Sequence, residues 1–204
     1  MANPYGDVEL DARGMRALAH PVRLAILTRL QAGGPSTATR LSETVGASPS
    51  VTSWHLRQLA AHGLVRDASD VAALRGHGRE RWWEAVSRGF RFVADPGDDG
   101  IEAARALERV MESVDGDIVG RWREEDEPHL EPQWRRLAGR ANTRIVVTST
   151  ELEEIEAAIE QVLAPYVLRK DEPDDTYPSD ARWVRLLRYT LPAADPETSE
   201  DPVS

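Results

Sequence analysis

Hydrophobic side chains along residues 11–62 recur every three or four positions, in short runs separated by Gly, Pro and Ser. This spacing places the apolar side chains of each run on one face of a helix. We therefore predict four short helices, at residues 11–19, 21–32, 37–45 and 48–62. A tight turn at Gly46 joins the last two, and two short helices so joined are typical of a helix-turn-helix.

The pattern changes after Gly63, the residue expected to end the fourth helix. Residues 64–67 and 80–86 are predicted strands, and the segment between them contains the Gly- and Arg-rich residues 75–79. Two strands joined by such a tip form a β-hairpin, the wing of a winged helix. Successive strand residues point to opposite sides. We therefore expect one of Trp82 and Trp83 under the wing and the other against the C-terminal domain or a partner chain.

The clearest boundary is the turn-rich, acidic segment at residues 95–100. One long helix is predicted at residues 101–125, with strands at 144–148 and 182–191 and a helix between them that starts with a Thr150–Glu153 capping box. The predicted fold class is mostly α with small β (α+β). Its parts are a flexible N-terminus (1–10), a winged helix-turn-helix (11–94), a C-terminal helical or α+β domain (101–191) and a disordered acidic tail (192–204).

The net charge of −10 is divided unevenly along the chain. Residues 11–94 contain twelve Arg and six acidic residues, so they are positive, while the remainder is strongly acidic. A basic half of this kind is the electrostatic footprint of a module that faces DNA.

Several functional classes lack support in the composition. There is no Cys, and the five His residues have no metal-ligand spacing, so neither a metal site nor a cofactor is expected. No sequence motif of a catalytic site occurs, so the chain is not expected to be an enzyme. Since neither a secretory signal nor a membrane span is recognisable, we expect a cytoplasmic protein with no membrane partner.

Three segments together resemble the ArsR-like winged helix-turn-helix regulators: LAHPVRLAIL at residues 18–27, SWHLRQL at 53–59 and GLV at 63–65. The resemblance covers roughly residues 13–90 and is to the non-metal-sensing type with an extended C-terminal domain. It implies a homodimer that binds a near-palindromic operator and usually represses transcription. Family members often have Thr-Val where this chain has Val51-Thr52, which exchanges a buried and an exposed position.

Small polar and hydrogen-bonding side chains near the start of the fourth helix are the candidates for DNA contact. Arg57 suits guanine, Gln58 suits adenine and Val51 suits a thymine methyl group. Trp54 is expected either to contact DNA or to pack on the wing, and a structural hydrogen bond is the favoured role of His55. The candidate DNA-binding residues are Ser48, Ser50, Val51, Ser53, Trp54, His55, Arg57 and Gln58 on the helix, with Arg75, His77 and Arg79 at the wing tip.

The long helix and the aromatic residues of the C-terminal half each leave two interpretations open. Apolar positions in residues 101–125 step by three or four, as in a coiled-coil seam, and form either a dimer interface or an intrachain core. The candidate dimer residues are Leu107, Met111, Val114, Ile118 and Trp122. An aromatic pocket for a small-molecule effector of unknown class is the alternative to ordinary core packing for Trp122, Trp134, Tyr166, Trp183 and Tyr189.

The sequence therefore predicts a dimeric DNA-binding transcriptional regulator, with double-stranded DNA and a second copy as partners. The alternative is a winged-helix protein-interaction module whose acidic half docks a partner.

Overall fold

The computed structural model describes residues 4–68, 80–92, 97–116, 118–169 and 176–194. The chain divides after Pro165 into two units, residues 1–165 and 166–204. The fold class is α+β, with the winged helix-turn-helix at the N-terminus, as the sequence predicts.

Four helices form close to their predicted ranges: α1 Ala12–Leu18, α2 Pro21–Gly33, α3 Ala38–Val45 and α4 Pro49–Ala61. Each follows a residue whose side chain accepts a hydrogen bond from a backbone N–H of the first turn, which is how exposed helix ends are satisfied. Gly46 lies in the turn between α3 and α4 with a φ of +67°, a conformation that costs glycine little. The predicted helix-turn-helix is confirmed.

Three short antiparallel strands form the base of the wing: β2 Ser36–Thr37, β3 Val65–Asp67 and β4 Trp82–Ala85, in the order β2-β4-β3. Trp83 of β4 lies opposite Ser36 on one side and Asp67 on the other. The predictions of β3 and β4 are confirmed, whereas β2 was not foreseen because two residues are too few to show an alternation.

Both tryptophans of β4 are buried. Trp83 belongs to the main core, and this agrees with the expectation of one tryptophan under the wing. Trp82 packs with Ala68, and the guanidinium of Arg40 lies 5.0 Å from its ring centroid. Trp82 is fully buried within the single chain, so it has no surface left for a partner chain, and its contact with the C-terminal domain stays a prediction.

The prediction of a flexible N-terminus is wrong for residues 5–10. Strand β1, Val8–Glu9, pairs in parallel with β5, Phe90–Arg91, and Tyr5 and Leu10 are buried. The pairing joins segments some eighty positions apart. A local hydrophobic pattern contains no information about such a partner.

Helix α5, Asp98–Asp115, packs on α1 and α2, and its Ala103, Ala104 and Leu107 complete the same core. The turn-rich segment before α5 is therefore not a boundary between separately packed domains. The predicted single helix over residues 101–125 is also wrong, since α5 stops at Gly116 and α6 spans Ile118–Glu125. Gly116 ends α5 with a φ of +50°, and its N–H donates to the carbonyl of Glu112.

A short 3-10 turn at Glu127–His129, helix α7 at Pro132–Leu137 and helix α8 at Ser149–Arg169 follow. Helix α8 begins with a capping box two residues earlier than predicted: Thr148 Oγ1 accepts from the N–H of Glu151, whose carboxylate accepts from the N–H of Thr148. The hydrogen bonds that the Glu151 carboxylate accepts from the backbone N–H and the hydroxyl of Thr148 lower the pKa of Glu151, because they favour its ionised form. The apolar positions of α8 are half-buried or exposed.

No strand is assigned at residues 144–148 or 182–191 in the described part of the chain, where two strands were predicted. Both segments are described, and neither is assigned to a sheet.

Candidate nucleic-acid interface

Helix α4 has one face in the core and one in solvent. Thr52, Leu56 and Leu59 are fully buried, at the spacing of a single helical face. Val51 and Trp54 lie on the opposite face with 44% and 48% of their surface exposed, and Arg57 is exposed one turn further on. A row of exposed apolar and cationic side chains on a rigidly packed helix is what readout of base edges requires.

The N-terminus of α4 projects two serines. Ser48 caps the helix, with its Oγ 3.4 Å from the N of Val51, and Pro49 takes the first helical position. Ser50 Oγ lies 3.1 Å from Ser48 Oγ, and both residues are exposed. Free backbone N–H groups, two hydroxyls and the positive end of the helix dipole together suit a phosphate oxygen.

The polar residues in the middle of α4 are partly ordered by one another. Arg57 Nη1 donates to Ser53 Oγ at 2.9 Å, one helical turn away, and this contact extends the guanidinium along the helix surface. Ser53 and Gln58 are half-buried. The predicted readout residues other than His55 thus lie at or near the surface of α4.

His55 is the exception among the predicted DNA-binding residues of α4. Only 4% of its surface is exposed, since it lies on the core face between α4 and α2. The prediction that it contacts DNA is therefore wrong. The expected structural hydrogen bond is absent at Nδ1, which is buried with no partner among the described residues. Instead its ring packs against His20, 4.5 Å between centroids, and edge-on against Trp54 at 4.8 Å.

His20 and Arg23 give this contact its electrostatic character. His20 Nδ1 accepts from the N–H of Val22, so this nitrogen is unprotonated and caps α2. Burial lowers the pKa of His20, and the charge of Arg23 adds to the effect. Burial also lowers the pKa of His55, with smaller contributions from His20 and Arg23. The imidazoles of His20 and His55, on the core side of α4, are therefore both favoured in their neutral form.

An open cleft of about 240 Å³ lies beside α4, bounded by the start of α3 and the start of β4. It brings Ser53 and Arg57 together with Thr39, Glu80 and Arg81. Thr39 Oγ1 donates to Glu80 Oε1 at 3.3 Å, and the guanidinium of Arg81 lies 4.2 Å from the ring centroid of Trp83. Thr39, Glu80 and Arg81 are not among the predicted site residues. No sequence motif marks these residues. Only their place in the fold identifies them, because the pairing of β2 with β4 brings the start of α3 next to the start of β4.

The predicted wing-tip residues Arg75, His77 and Arg79 lie outside the described residues. Their contact with DNA stays a prediction.

The five candidate dimer residues differ in how deeply the single chain buries them. Leu107 is fully buried against α1 and α2 of its own chain, so it belongs to the intrachain core and has no surface for a partner. Met111 is half-buried and packs against that core. Val114, Ile118 and Trp122 are also half-buried, and their role in dimerisation stays a prediction.

The aromatic residues proposed for an effector pocket are not enclosed. Tyr166, Trp183 and Tyr189 are largely exposed. Since a pocket buries most of its ligand and therefore its walls, these three rings form none in a single chain. Trp122 and Trp134 are half-buried on α6 and α7. An effector pocket that combines all five aromatic residues stays a prediction.

Two further findings concern only the described part of the chain. It contains no group of three or more His, Asp or Glu side chains placed to hold a metal ion. None of its helices combines the length and the apolar character needed to cross a membrane.

Comparison with known proteins agrees with this geometry. Residues 18–68, from the end of α1 to the residue after β3, match a family model described as a helix-turn-helix domain. The HTH-type transcriptional regulator YgaV of Escherichia coli (strain K12) is 33% identical over 71 residues, which are 35% of this chain and 72% of that protein. The chain belongs to the helix-turn-helix transcriptional regulators. In this family α4 occupies the position of the second, recognition helix.

Proposed function

We propose that this regulator is a homodimeric, ArsR-like transcriptional repressor that binds a near-palindromic operator in double-stranded DNA. The observation that carries the proposal is the exposed row Val51, Trp54 and Arg57 on α4, whose opposite face is locked into the core by Leu56 and Leu59. A recognition helix needs both properties, because side chains must reach base edges from a support that does not move.

Base readout is assigned to the outward side chains of α4. Arg57 donates two hydrogen bonds to a guanine, Gln58 pairs with an adenine, and Val51 contacts a thymine methyl group. For Trp54, DNA contact is favoured over packing on the wing, because its ring already rests edge-on against His55 and still exposes half of its surface.

Phosphate contacts position the helix in the groove. They are assigned to Ser48 and Ser50 at the N-terminus of α4 and to the basic wing tip at residues 75–79. The positive charge of residues 11–94 supports this arrangement, because it concentrates cations in the part of the chain that contains α4.

The homodimer is assigned to the outer part of the seam, where Met111, Val114, Ile118 and Trp122 are half-buried in the single chain. A second copy of the chain would bury these apolar side chains further. A two-fold axis there would present two α4 helices to two half-sites about one turn of DNA apart.

The test is a titration of the full chain against DNA from the region upstream of its own gene, followed by footprinting. We expect protection of two half-sites centred about 10 base pairs apart. We also expect the affinity to fall by roughly 10³-fold or more between 50 and 200 mM salt. Binding that ignores salt, or no protected site, would contradict the proposal.

A matched pair of variants connects binding to α4. Val51→Glu places a carboxylate on the exposed face of α4, where it would meet phosphates and base edges. Val162→Glu places the same charge on an exposed position of α8. We expect the first variant to lose operator binding and the second to keep it, with both remaining folded by circular dichroism.

A further inference from the structure

Trp54 and His55 are neighbours on α4 with opposite surroundings. The Trp54 indole lies on the outer side of the helix with 48% of its surface exposed, whereas His55 lies on the core side and is 4% exposed. The two rings nevertheless touch: their centroids are 4.8 Å apart and their planes cross at 73°, which is an edge contact. The orientation of the exposed Trp54 therefore depends on a buried ring that DNA does not reach.

His55 packs in turn on His20, the residue that caps α2. The imidazole centroids are 4.5 Å apart, and the planes are tilted by 44°. His20 Nδ1 accepts a hydrogen bond from the N–H of Val22 at 3.2 Å, so the cap fixes the position of this ring. His20, His55 and Trp54 thus form a row of three rings that leads from the start of α2 to the exposed face of α4.

The charged groups that act on His55 are positive. Burial lowers the pKa of His55, and His20 and Arg23, from α2 and its cap, lower it further. Nδ1 of His55 is buried without a hydrogen-bond partner among the described residues, and so is Nε of Arg23. Helices α1 and α3 and strand β3 also pack against α4. The other charged residues of these elements, of α2 and of α4 are not among the groups that shift this pKa: Arg13, Arg16, Arg29, Arg40, Glu43, Arg57, Arg66 and Asp67.

We propose that His55 is a positioning residue for operator binding: with His20 it holds Trp54 in place while both imidazoles are neutral, and protonation of the pair releases Trp54 and with it the operator. The inference rests on the proposed function, because it takes Trp54 as a DNA contact. It makes the regulator sensitive to protons, with the operator bound at neutral pH and vacated in acid.

Protonation displaces His55 because a charged imidazole donates hydrogen bonds from both nitrogens. At its buried position, the Nδ1–H group would have no acceptor among the described residues. An unpaired buried charge costs far more than an unpaired neutral group. The charged ring reaches water only by moving outward, and the ring that it then displaces is its exposed neighbour Trp54. A displaced indole loses the fixed orientation that contact with a base edge requires.

Acid has two opposite effects on DNA binding, and they separate by sequence. An added positive charge near the phosphates strengthens binding to DNA of any sequence. The displacement of Trp54 weakens only those contacts that depend on its orientation, which are contacts with the operator. The affinity for the operator therefore falls while the affinity for unrelated DNA holds or rises. The ratio of the two affinities is the quantity that reports on the ring row.

The pH window follows from the direction of the two shifts. Both folded-state pKa values lie below the ordinary 6.5, so both rings are neutral at about pH 7.5 and the operator affinity is constant there. Below these pKa values the free protein takes up protons that operator binding must expel. Each such proton lowers the operator affinity by roughly tenfold per pH unit.

The test is fluorescence anisotropy of the full-length protein with a labelled operator and with an unrelated duplex of the same length. The pH is varied from about 7.5 to about 5 at constant ionic strength, because DNA affinity depends on salt. We expect the ratio of operator affinity to unrelated-DNA affinity to fall by roughly tenfold or more. Circular dichroism selects the pH values at which the protein is folded. A constant ratio over these values overturns the inference.

His20→Asn is the variant that tests the coupling of the two rings. Asn keeps an oxygen acceptor at the cap of α2 but has no proton to gain. The substitution removes the positive influence of His20, so the pKa of His55 rises towards 6.5. We expect the loss of operator affinity to begin at higher pH than in the original protein. An onset at the same pH would contradict the coupling, whereas a merely structural role of His20 would not move it.

His55→Phe keeps an aromatic ring between His20 and Trp54 and removes the site of protonation. We expect operator binding to persist at about pH 7.5 and most of its loss in acid to disappear. His62→Gln, at an exposed position after α4, is the control and should keep the original pH profile. An undiminished loss in acid in His55→Phe assigns the proton to another group and overturns the inference. If Phe is too large for the site and the variant does not fold, the onset in His20→Asn decides.

The outcomes for this inference and for the proposed function are distinguishable. A salt-dependent operator footprint with a pH-independent affinity ratio overturns the inference and leaves the proposed function standing. Absence of any footprint at about pH 7.5, where both rings are neutral, contradicts the proposed function itself.

Discussion

The imidazole rings of His20 and His55 lie 4.5 Å apart between centroids, one capping α2 and the other on the core face of the recognition helix. Burial lowers the pKa of both. Because each folded-state pKa lies below the ordinary value of 6.5, the unfolded chain binds more protons as the pH falls. The stability that the two neutral rings contribute is present above pH 6.5 and is lost as the pH falls through the lower folded-state pKa values.

We therefore expect the free energy of unfolding to decrease when the pH falls from about 7.5 to about 5.5. Urea denaturation at several pH values measures it. His55→Leu removes one buried titrating ring and should flatten the pH dependence, whereas His62→Gln, at an exposed position after α4, should not. An equally steep dependence in His55→Leu would show that another group is responsible.

The hydroxyl of Thr52 is fully buried in α4 and has no hydrogen-bond partner among the described residues. A buried unsatisfied hydroxyl is costly, and valine has nearly the same shape without the polar atom. We expect Thr52→Val to raise the free energy of unfolding by about 1 kcal/mol. Thr28→Val, at an exposed position of α2, is the matched control and should change it by less than about 0.5 kcal/mol. A loss of stability in Thr52→Val would indicate that the hydroxyl has a partner in solution.

Substitution of Leu107 tests whether this side chain belongs to the chain's own core or to a dimer interface. It is fully buried where α5 packs on α1 and α2, so Leu107→Ala leaves a cavity in the chain's own core. We expect a loss of about 2–5 kcal/mol in the free energy of unfolding. Leu137→Ala removes the same atoms from a side chain that is 80% exposed and should have little effect.

Protein concentration provides the decisive comparison for Leu107. If the side chain contributes to the intrachain core, the destabilisation is the same at low and high concentration. A loss that disappears as the monomer concentration falls would instead place Leu107 between two copies.

The helices of the DNA-binding part were predictable because their signals are local. Pro49 after Ser48, and the glycine at position 46, fix the start of α4 and the turn before it through chemistry within a few residues. The inner face of α4 followed from its period, so Leu56 and Leu59 could be assigned to the core before the structure was known. Even there, His55 was misplaced as a DNA contact, since its partner His20 lies on another helix.

The errors concern contacts between distant segments. Pairing of Val8 with Phe90 and the packing of Leu107 on α1 leave no local pattern, so the N-terminus and α5 were both assigned to the wrong part of the fold. The segments at 144–148 and 182–191 have the composition of strands, but neither is assigned to a strand among the described residues. Composition determines that a segment is suited to pairing, while topology determines whether it pairs.

Arg57 is the side chain on which base readout depends most. Its guanidinium is exposed on α4 and held along the helix by Ser53 Oγ at 2.9 Å. A bidentate contact to guanine accounts for about 1–3 kcal/mol of discrimination, so Arg57→Ala should weaken operator binding by roughly 5- to 150-fold. Fluorescence anisotropy with a labelled operator measures the change.

A comparison of how Arg57 variants lose DNA affinity shows whether Arg57 contacts a base or a phosphate. Arg57→Lys keeps the positive charge but cannot form the planar two-bond contact, so it should resemble Arg57→Ala on the operator while keeping the affinity for unrelated DNA. Arg16→Ala removes an arginine of α1 that pairs with Asp99 and serves as the charge-matched control, with operator binding expected to be unchanged. If Arg57→Lys binds the operator as well as the original protein does, Arg57 contacts a phosphate rather than a base, because a phosphate contact requires only the charge.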